Sequence, residues 1–308
     1  MRIDDLRRYS RYYSNAAYMG VDRIFRGYFG LPIDYPVPLS LAHGVDFGHT
    51  FYPLDVKSRE PIHWSCNADV HDAAQAYKPS LLLPHPWVMA TDQRTLPDGE
   101  GTLIIGPPPG PVNDEALFRL IEGKINKPAI LIKARGEIDG SMRFWRDRGI
   151  TPVTAGAPDD GFYDRLITLL ASHRTIMGPT FSSALIFAAA IGRDIQIVRG
   201  FTHRTLEGRD YENEVNWASS RAQKIVRLFI GADQAEIQRT ARHLLGADLE
   251  FDRRAKIAEL EEVVGALSSP FWMNPDIRMP PAFFRRTLAM ASGKIGFLNA
   301  GVGAYLNR

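Results

Sequence analysis

The segment Gly178-Pro-Thr-Phe-Ser-Ser183 places three hydroxyl side chains between a predicted strand and a predicted helix. The first turn of a helix presents free backbone N–H groups and the positive end of the helix dipole. Together with the hydroxyls of Thr180, Ser182 and Ser183, these groups suit a phosphate. A single serine also commonly caps a helix, so the alternative is that Ser182 serves only as a cap. The segment is not a Walker loop, because no Gly-Lys-Ser/Thr follows it.

Two further segments leave predicted strands that belong to the same sheet. Lys133-Ala-Arg135-Gly-Glu137 ends the strand Ala129–Lys133, and we expect its side chains to bind a diphosphate in the cleft at the strand ends. The alternative is a solvated loop. The stiff Gly106-Pro-Pro-Pro-Gly110 segment offers few N–H donors, because proline has none. It is therefore expected to form a wall of the cleft, with direct contacts limited to Gly106 or Gly110.

A histidine-rich segment, Ala42-His-Gly-Val-Asp-Phe-Gly-His49, follows an earlier predicted strand. Neutral histidine can accept a proton from a hydroxyl nucleophile, and a nearby carboxylate can orient the imidazole. We therefore predict His43 and Asp46 as the catalytic pair. The acceptor-side candidates around them are Gly44, His49 and His85. The alternative for each histidine is a structural role, and for His85 the flanking prolines favour a rigid exit from the domain.

The cysteine and histidine positions do not form a metal-site pattern. The chain has eight histidines and one cysteine, with no HxxxH, HxH or HExxH spacing. His63, Cys66 and His71 are close enough in sequence to meet at one metal site, but the simpler interpretation of Cys66 is a small buried residue. We predict no metal and no resident cofactor. A nucleophile elbow, Gly-x-Ser-x-Gly, is also absent from the sequence.

The elements that position these residues alternate regularly between residues 101 and 200. Five short apolar strands alternate with four helical patterns, which indicates right-handed crossovers and a parallel sheet covered on both faces. The predicted class is α/β, with a Rossmann-like donor-binding domain over 101–200. The predicted strands are Thr102–Gly106, Ala129–Lys133, Thr151–Ala155, Thr175–Met177 and Ile195–Val198. The predicted helices are Asp114–Lys124 capped by Asn113, Ser141–Arg146 closed by Gly149, Phe162–His173 and Ser182–Ile191.

The flanking regions are less regular. For residues 1–100 we predict a smaller α/β acceptor-side domain. It begins with a helix over Leu6–Phe29 and ends in a hinge over Thr91–Gly101. Short strands at Leu39–Ala42, Pro61–Ser65 and Leu81–Leu83 and a helix over Asn67–Tyr77 complete that domain. We predict that residues 201–308 form a helical region that packs against both domains. Its helices are Glu214–Leu228, Asp233–Leu245, Arg253–Leu267 and Phe283–Met290.

Composition restricts the function classes. The 308 residues are 45% hydrophobic and 23% charged, as in a globular protein, and a net charge of +2 gives no global field for nucleic acid. The single cysteine, Cys66, fits a reducing compartment, so we expect a bacterial cytoplasmic protein. Arginines interleaved with tyrosines before residue 29 suit peripheral contact with an anionic membrane, and the alternative is that they pack locally.

Several of these segments resemble the second domain of bacterial polysaccharide-biosynthesis glycosyltransferases of the GT-B type. The similar segments are Gly101-Thr-Leu-Ile-Ile, Thr151-Pro-Val-Thr-Ala-Gly156, Phe162-Tyr163 and Gly178 to Ala190. Ser-Leu-Ala-His43-Gly44 is similar to the His-Gly turn of their first domain, and Leu81 to Trp87 resembles the strand before their linker. The resemblance covers residues 38–200. It implies two Rossmann-like units, the first shortened here, with a helical tail.

The resemblance also implies a reaction. Such enzymes bind a nucleotide sugar on the second domain and an acceptor on the first, usually without a metal. The expected activity is transfer of a sugar to a polysaccharide or lipid-linked acceptor in capsule or exopolysaccharide assembly. Where related transferases have a His-Pro pair, this chain has Lys133-Ala134-Arg135. The alternatives are a nucleotide-sugar epimerase or hydrolase of the same build, and a non-catalytic nucleotide-sugar-binding scaffold.

Overall fold

The computed structural model describes most of the chain between residues 18 and 267. The described residues are 18–35, 37–41, 45, 62–75, 78–106, 111–127, 129–132, 139–156, 159–179, 181–204, 210–212 and 220–267. They form a mixed α/β structure with two parallel sheets, which confirms the predicted α/β class.

The first sheet has three parallel strands in the order β1-β2-β3. These are β1 (Leu39–Leu41), β2 (Ile62–Ser65) and β3 (Ser80–Leu82). The accompanying helices are α1 (Val21–Phe29), α2 (Ala68–Gln75) and α3 (Pro86–Thr91). Asn67 caps α2 by accepting a hydrogen bond from the N–H of Val70 at 3.0 Å. All three strands are almost completely buried, and they combine apolar residues with four polar ones, Ser40, His63, Ser65 and Ser80.

The second sheet has five parallel strands in the order β6-β5-β4-β7-β8. Its strands are β4 (Thr102–Ile105), β5 (Ala129–Ile132), β6 (Thr151–Val153), β7 (Thr175–Gly178) and β8 (Asp194–Ile197). The connecting helices are α4 (Pro111–Ile121), α5 (Asp139–Arg146), α6 (Phe162–Ala171) and α7 (Ser183–Ala190). A 3-10 turn over Glu122–Lys124 follows α4. All five predicted strands and four predicted helices in this region are confirmed, with ends shifted by one to three residues.

The remaining elements are a hairpin and three helices. Strands β9 (Thr202–Arg204) and β10 (Asp210–Glu212) pair antiparallel. Helices α8 (Ser220–Gly231), α9 (Gln234–Leu244) and α10 (Arg253–Leu267) follow. The hairpin was not predicted, because strands of three residues with polar sequences carry little periodic signal. The predicted helix over Phe283–Met290 lies outside the described residues.

One continuous apolar core joins the two sheets. It includes Phe25 of α1 and Trp64 of β2 on one side, and Leu103 of β4, Ile176 of β7 and Leu185 of α7 on the other. Helix α7 lies within this core, and its residues from Leu185 to Ala190 are all buried. The opposite face of the second sheet is covered by a separate cluster that includes Ile104, Leu117 and Trp145. Both faces of the second sheet are therefore covered, as a parallel sheet requires.

Two predicted helix starts are wrong. Helix α4 begins at Pro111, a residue type preorganised for the first helical position, so Asn113 lies inside the first turn and is not its cap. The helix predicted over Leu6–Phe29 is not continuous, because Met19 (φ 61°) and Gly20 (φ 74°) adopt the left-handed conformation and α1 begins only at Val21. Residues 6–17 of that prediction lie outside the described residues.

The segment predicted as a hinge, Thr91–Gly101, is held against α6 and the start of β8. Arg193 donates to the carbonyl oxygens of Asp98 (2.7 Å) and Pro97 (2.5 Å). The N–H of Glu100 donates to the Ser172 carbonyl at 3.0 Å. Gly99 has φ +68°, and a Cβ there would lie 2.7 Å from the carbonyl carbon of His173. The second half of the segment is therefore fixed to the second sheet.

Candidate functional site

The strand order of the second sheet reverses between β4 and β7. Counted along the chain the order is 3-2-1-4-5, and ligands of doubly wound sheets bind outside the carboxyl ends of the strands at such a reversal. The register pairs Ile104 with Met177. Gly106 and Gly178 consequently lie at neighbouring strand ends, so two predicted donor-binding residues flank the reversal point.

Helix α7 begins at Ser183, five residues after Gly178. Ser182 is the N-cap residue, with extended φ −148° and ψ 162°, and its carbonyl accepts from the N–H of Leu185 at 3.0 Å. Its side chain makes no capping hydrogen bond. The Oγ atom is buried and has no hydrogen-bond partner among the described residues. The Ser182 side chain therefore does not act as a simple helix cap.

The neighbouring serine has a different contact. The backbone N–H of Val45 donates to Ser183 Oγ at 3.0 Å. Val45 lies in the connection after β1, between Gly44 and Asp46 in the sequence, whereas Ser183 opens α7 at the edge of the second sheet. This hydrogen bond places Val45, the residue between Gly44 and Asp46 in the sequence, at the start of the predicted phosphate-binding helix.

Most of the predicted site residues lie outside the described residues. They are the catalytic candidates His43 and Asp46, the acceptor-side candidates Gly44 and His49, and the donor-binding candidates Lys133, Arg135, Glu137 and Thr180. Gly106, Gly178, Ser182, Ser183 and His85 are described. Of these five, the first four lie along the carboxyl edge of the second sheet and its α7 connection.

His85 caps helix α3. Its Nδ1 accepts a hydrogen bond from the N–H of Trp87 at 3.1 Å. The ring is 1% exposed and lies 5.1 Å from the Phe187 ring, which also stacks on Trp87 at 4.7 Å. Burial lowers the pKa of His85 to about 3. His85 is therefore neutral at physiological pH and joins α3 to α7, which is the structural role that the sequence left open.

Sequence reasoning missed a buried carboxylate at the start of α4. Asp114, in the first turn of α4, is completely buried. Its Oδ1 accepts from Trp145 Nε1 at 2.8 Å, and its Oδ2 accepts from the Ser141 hydroxyl. Both donors belong to α5. The signal in the sequence was an acidic residue at the start of a helix, which is common on solvated surfaces and does not reveal burial.

A polar row crosses the first sheet. The register aligns Ser40, His63 and Ser80 on neighbouring strands, and Lys78 Nζ donates to Ser40 Oγ at 3.0 Å. Burial, and then the positive charge of Lys78, lower the pKa of His63 to about 3. His71 Nδ1 lies 3.1 Å from Ser80 Oγ. Among the described residues, no three His, Cys, Asp or Glu side chains converge as metal ligands do.

Two arginines of the basic segment before residue 29 have acidic partners. Arg26 and Asp22 form a buried ion pair at 3.0 Å, and Arg26 Nε also donates to the Tyr35 carbonyl at 2.8 Å. Arg23 pairs with Asp164 of α6. Arg2, Arg7, Arg8 and Arg11 lie outside the described residues. Within the described ranges, no helix is both long and apolar enough to span a bilayer.

The last three helices contact elements of both halves of the structure. Helix α9 packs along α7, and the N–H of His85 donates to the Leu245 carbonyl at 2.8 Å. Arg253 of α10 lies over the Tyr28 ring of α1 at 4.0 Å.

Comparison of the chain with protein families and with curated proteins gives no match. The function is therefore argued from the geometry of the site.

Proposed function

We propose that this protein is a glycosyltransferase of GT-B-like build, which transfers a sugar from a nucleotide sugar to a glycan or lipid-linked acceptor. In this proposal both sheets belong to Rossmann-like units, the first of them shortened. The observation that carries the proposal is the Val45 N–H to Ser183 Oγ hydrogen bond. It supports a single site in which an acceptor-activating connection meets a donor-binding helix.

The donor diphosphate is proposed to lie at the amino terminus of α7. The free N–H groups of the first turn and the helix dipole favour an anion there. The buried Ser182 hydroxyl, with no partner among the described residues, adds a donor. Gly106 and Gly178 allow close approach, because neither has a side chain. Lys133, Arg135 and Thr180 are proposed to complete the site, with Glu137 beside the two cations.

The chemical step follows from this placement. A hydroxyl oxygen of the acceptor attacks the anomeric carbon, and the bond from that carbon to the diphosphate oxygen breaks. His43 takes the hydroxyl proton, and Asp46 orients its imidazole; general-base catalysis of this kind contributes typically about 10²–10⁴-fold. The negative charge that develops on the leaving diphosphate is stabilised by the helix end and by Lys133 and Arg135.

The proposed setting is the cytoplasm, with peripheral contact at the inner face of the membrane where a lipid-linked acceptor is presented. Each basic residue near an anionic surface contributes about 1 kcal/mol. The buried ion pair of Arg26 with Asp22 excludes Arg26 from such contact. Arg23 is engaged with Asp164, so membrane contact is proposed for the arginines that precede it.

A binding panel tests the donor half of the proposal. Thermal shift and calorimetry with UDP, GDP, dTDP and CMP, and with sugars attached to each, should give saturable binding of one nucleotide and its sugars. Consumption of the donor without an acceptor would favour an epimerase or hydrolase, and binding without any consumption would favour a scaffold. No binding by any nucleotide or nucleotide sugar would overturn the proposal.

A further inference from the structure

Asp114 joins the first turns of two helices that follow neighbouring strands. Helix α4 follows β4 after residues 106–110, and α5 follows β5 after residues 133–138. The register pairs Ile105 with Ile132 at the ends of these strands. Asp114 of α4 accepts hydrogen bonds from Ser141 and Trp145 of α5, one on each carboxylate oxygen.

The energetics of this arrangement indicate that a carboxylate is required at position 114. Burying a charged group is costly unless its oxygens are hydrogen-bonded, and an apolar side chain would fill the same space without that cost. Trp145 is itself completely buried, so its indole N–H needs an acceptor. A carboxylate in the first turn of α4 also gains from the helix dipole. These hydrogen bonds fix α5 relative to α4 more specifically than apolar packing would.

We propose that Asp114 is a positioning residue of the donor site. By holding the start of α5 against the start of α4, it sets where the two strand-to-helix connections end. The connection before α5 carries Lys133 and Arg135, which are the proposed diphosphate ligands. This inference rests on the proposed function, and it predicts that Asp114 acts on donor affinity without touching the donor.

The test compares three variants with a matched control. Asp114→Ala removes both acceptor oxygens, whereas Asp114→Asn keeps the volume, one acceptor oxygen for Trp145 and an amide that can donate to the Ser141 oxygen. Ser141→Ala removes one of the two hydrogen bonds. The control is Thr102→Val, because the buried Thr102 Oγ1 accepts from the N–H of Asn126 at 3.0 Å at the opposite end of β4.

Binding of UDP, GDP, dTDP, CMP and inorganic pyrophosphate is measured by calorimetry, with unfolding temperatures recorded for each variant. Asp114→Ala should weaken the affinity of the best nucleotide about tenfold, which is the scale on which residues without ligand contact modulate a binding site. Asp114→Asn should restore most of that affinity, and Ser141→Ala should show a smaller loss. Thr102→Val should lower the unfolding temperature at unchanged affinity.

The outcomes separate this inference from the proposed function. If the wild-type chain binds a nucleotide and Asp114→Ala or Ser141→Ala binds it equally well, the positioning role is wrong and the proposed donor site stands. Equal losses in Asp114→Asn and Asp114→Ala, or an affinity loss in Thr102→Val, would also overturn it. If Asp114→Ala does not fold, Ser141→Ala and Asp114→Asn decide the question. If the wild-type chain binds none of the probes, both proposals are overturned.

Discussion

The backbone N–H of Val45 donates to the hydroxyl of Ser183 across 138 residues of sequence, at 3.0 Å. This contact ties Val45, four residues after the end of β1, to the amino terminus of α7. The adjacent Ser182 hydroxyl is buried and has no partner among the described residues. Two neighbouring serines therefore have different surroundings, which gives them different expected roles.

The first prediction separates those roles. Ser182→Ala should weaken nucleotide binding by about 1–3 kcal/mol, because a hydrogen bond to a charged group is lost, and turnover at saturating donor should change little. Ser183→Ala should leave nucleotide affinity near that of the wild type and lower turnover, because Val45 loses its anchor. Calorimetry and initial rates measure the two effects. Identical effects of the two substitutions would contradict the division of roles.

The second prediction concerns His43. His43→Ala should reduce turnover by about 10²–10⁴-fold if the imidazole is the general base. Nucleotide affinity should remain nearly intact, since the donor binds to the second sheet. His243→Ala is the control and should leave turnover unchanged, because it removes an exposed imidazole that belongs to none of the candidate site residues. Wild-type turnover in His43→Ala would remove this residue from the mechanism and would favour Asp46.

The sequence was sufficient to predict the second sheet, because its strands are largely apolar and its helices are either amphipathic or, like α7, continuously apolar. Patterns of that kind are local, because the spacing of apolar residues a few positions apart shows which side of a strand or helix is buried. The contact between Val45 and Ser183 depends on how distant segments pack, so no local pattern predicts it. The same holds for the burial of Asp114, whose partners lie on another helix. The interruption at Met19 arises from a left-handed backbone that this residue type does not favour.

The third prediction concerns pH and the two buried histidines. Burial lowers the pKa of both His63 and His85 to about 3, whereas histidine in an unfolded chain titrates near 6.5. Between these values the unfolded chain binds more protons than the folded chain. The free energy of unfolding should therefore be highest above pH 6.5 and fall as the pH drops towards 3.

A single substitution isolates one of these contributions. His85→Asn keeps a side-chain acceptor for the Trp87 N–H but does not titrate. Urea unfolding across this pH range should show a shallower loss of stability in His85→Asn than in the wild type. His243→Asn, which removes an exposed imidazole, is the control. An unchanged pH dependence in His85→Asn would show that His85 protonation does not contribute to acid unfolding.

The fourth prediction concerns the segment between the two sheets. Gly99 and Gly200 both have positive φ, but a Cβ at Gly99 would lie 2.7 Å from the His173 backbone, whereas a Cβ at Gly200 meets nothing within 4 Å. Gly200→Ala should cost about 1 kcal/mol from backbone strain alone. Gly99→Ala should cost clearly more, because the segment must also move away from α6. Denaturant unfolding measures both, and equal costs would contradict the close packing of this segment.

The central claim is sugar transfer at the junction of the two sheets, and acceptor-dependent donor consumption tests it most directly. The purified chain is incubated with the nucleotide sugar selected by the binding panel, with and without a bacterial glycan or lipid-linked acceptor fraction. The release of the nucleotide and the incorporation of labelled sugar into the acceptor are then measured. We predict both only when the acceptor is present, and both reduced in Ser183→Ala. Nucleotide release at the same rate without acceptor, or no release under either condition, would contradict the account.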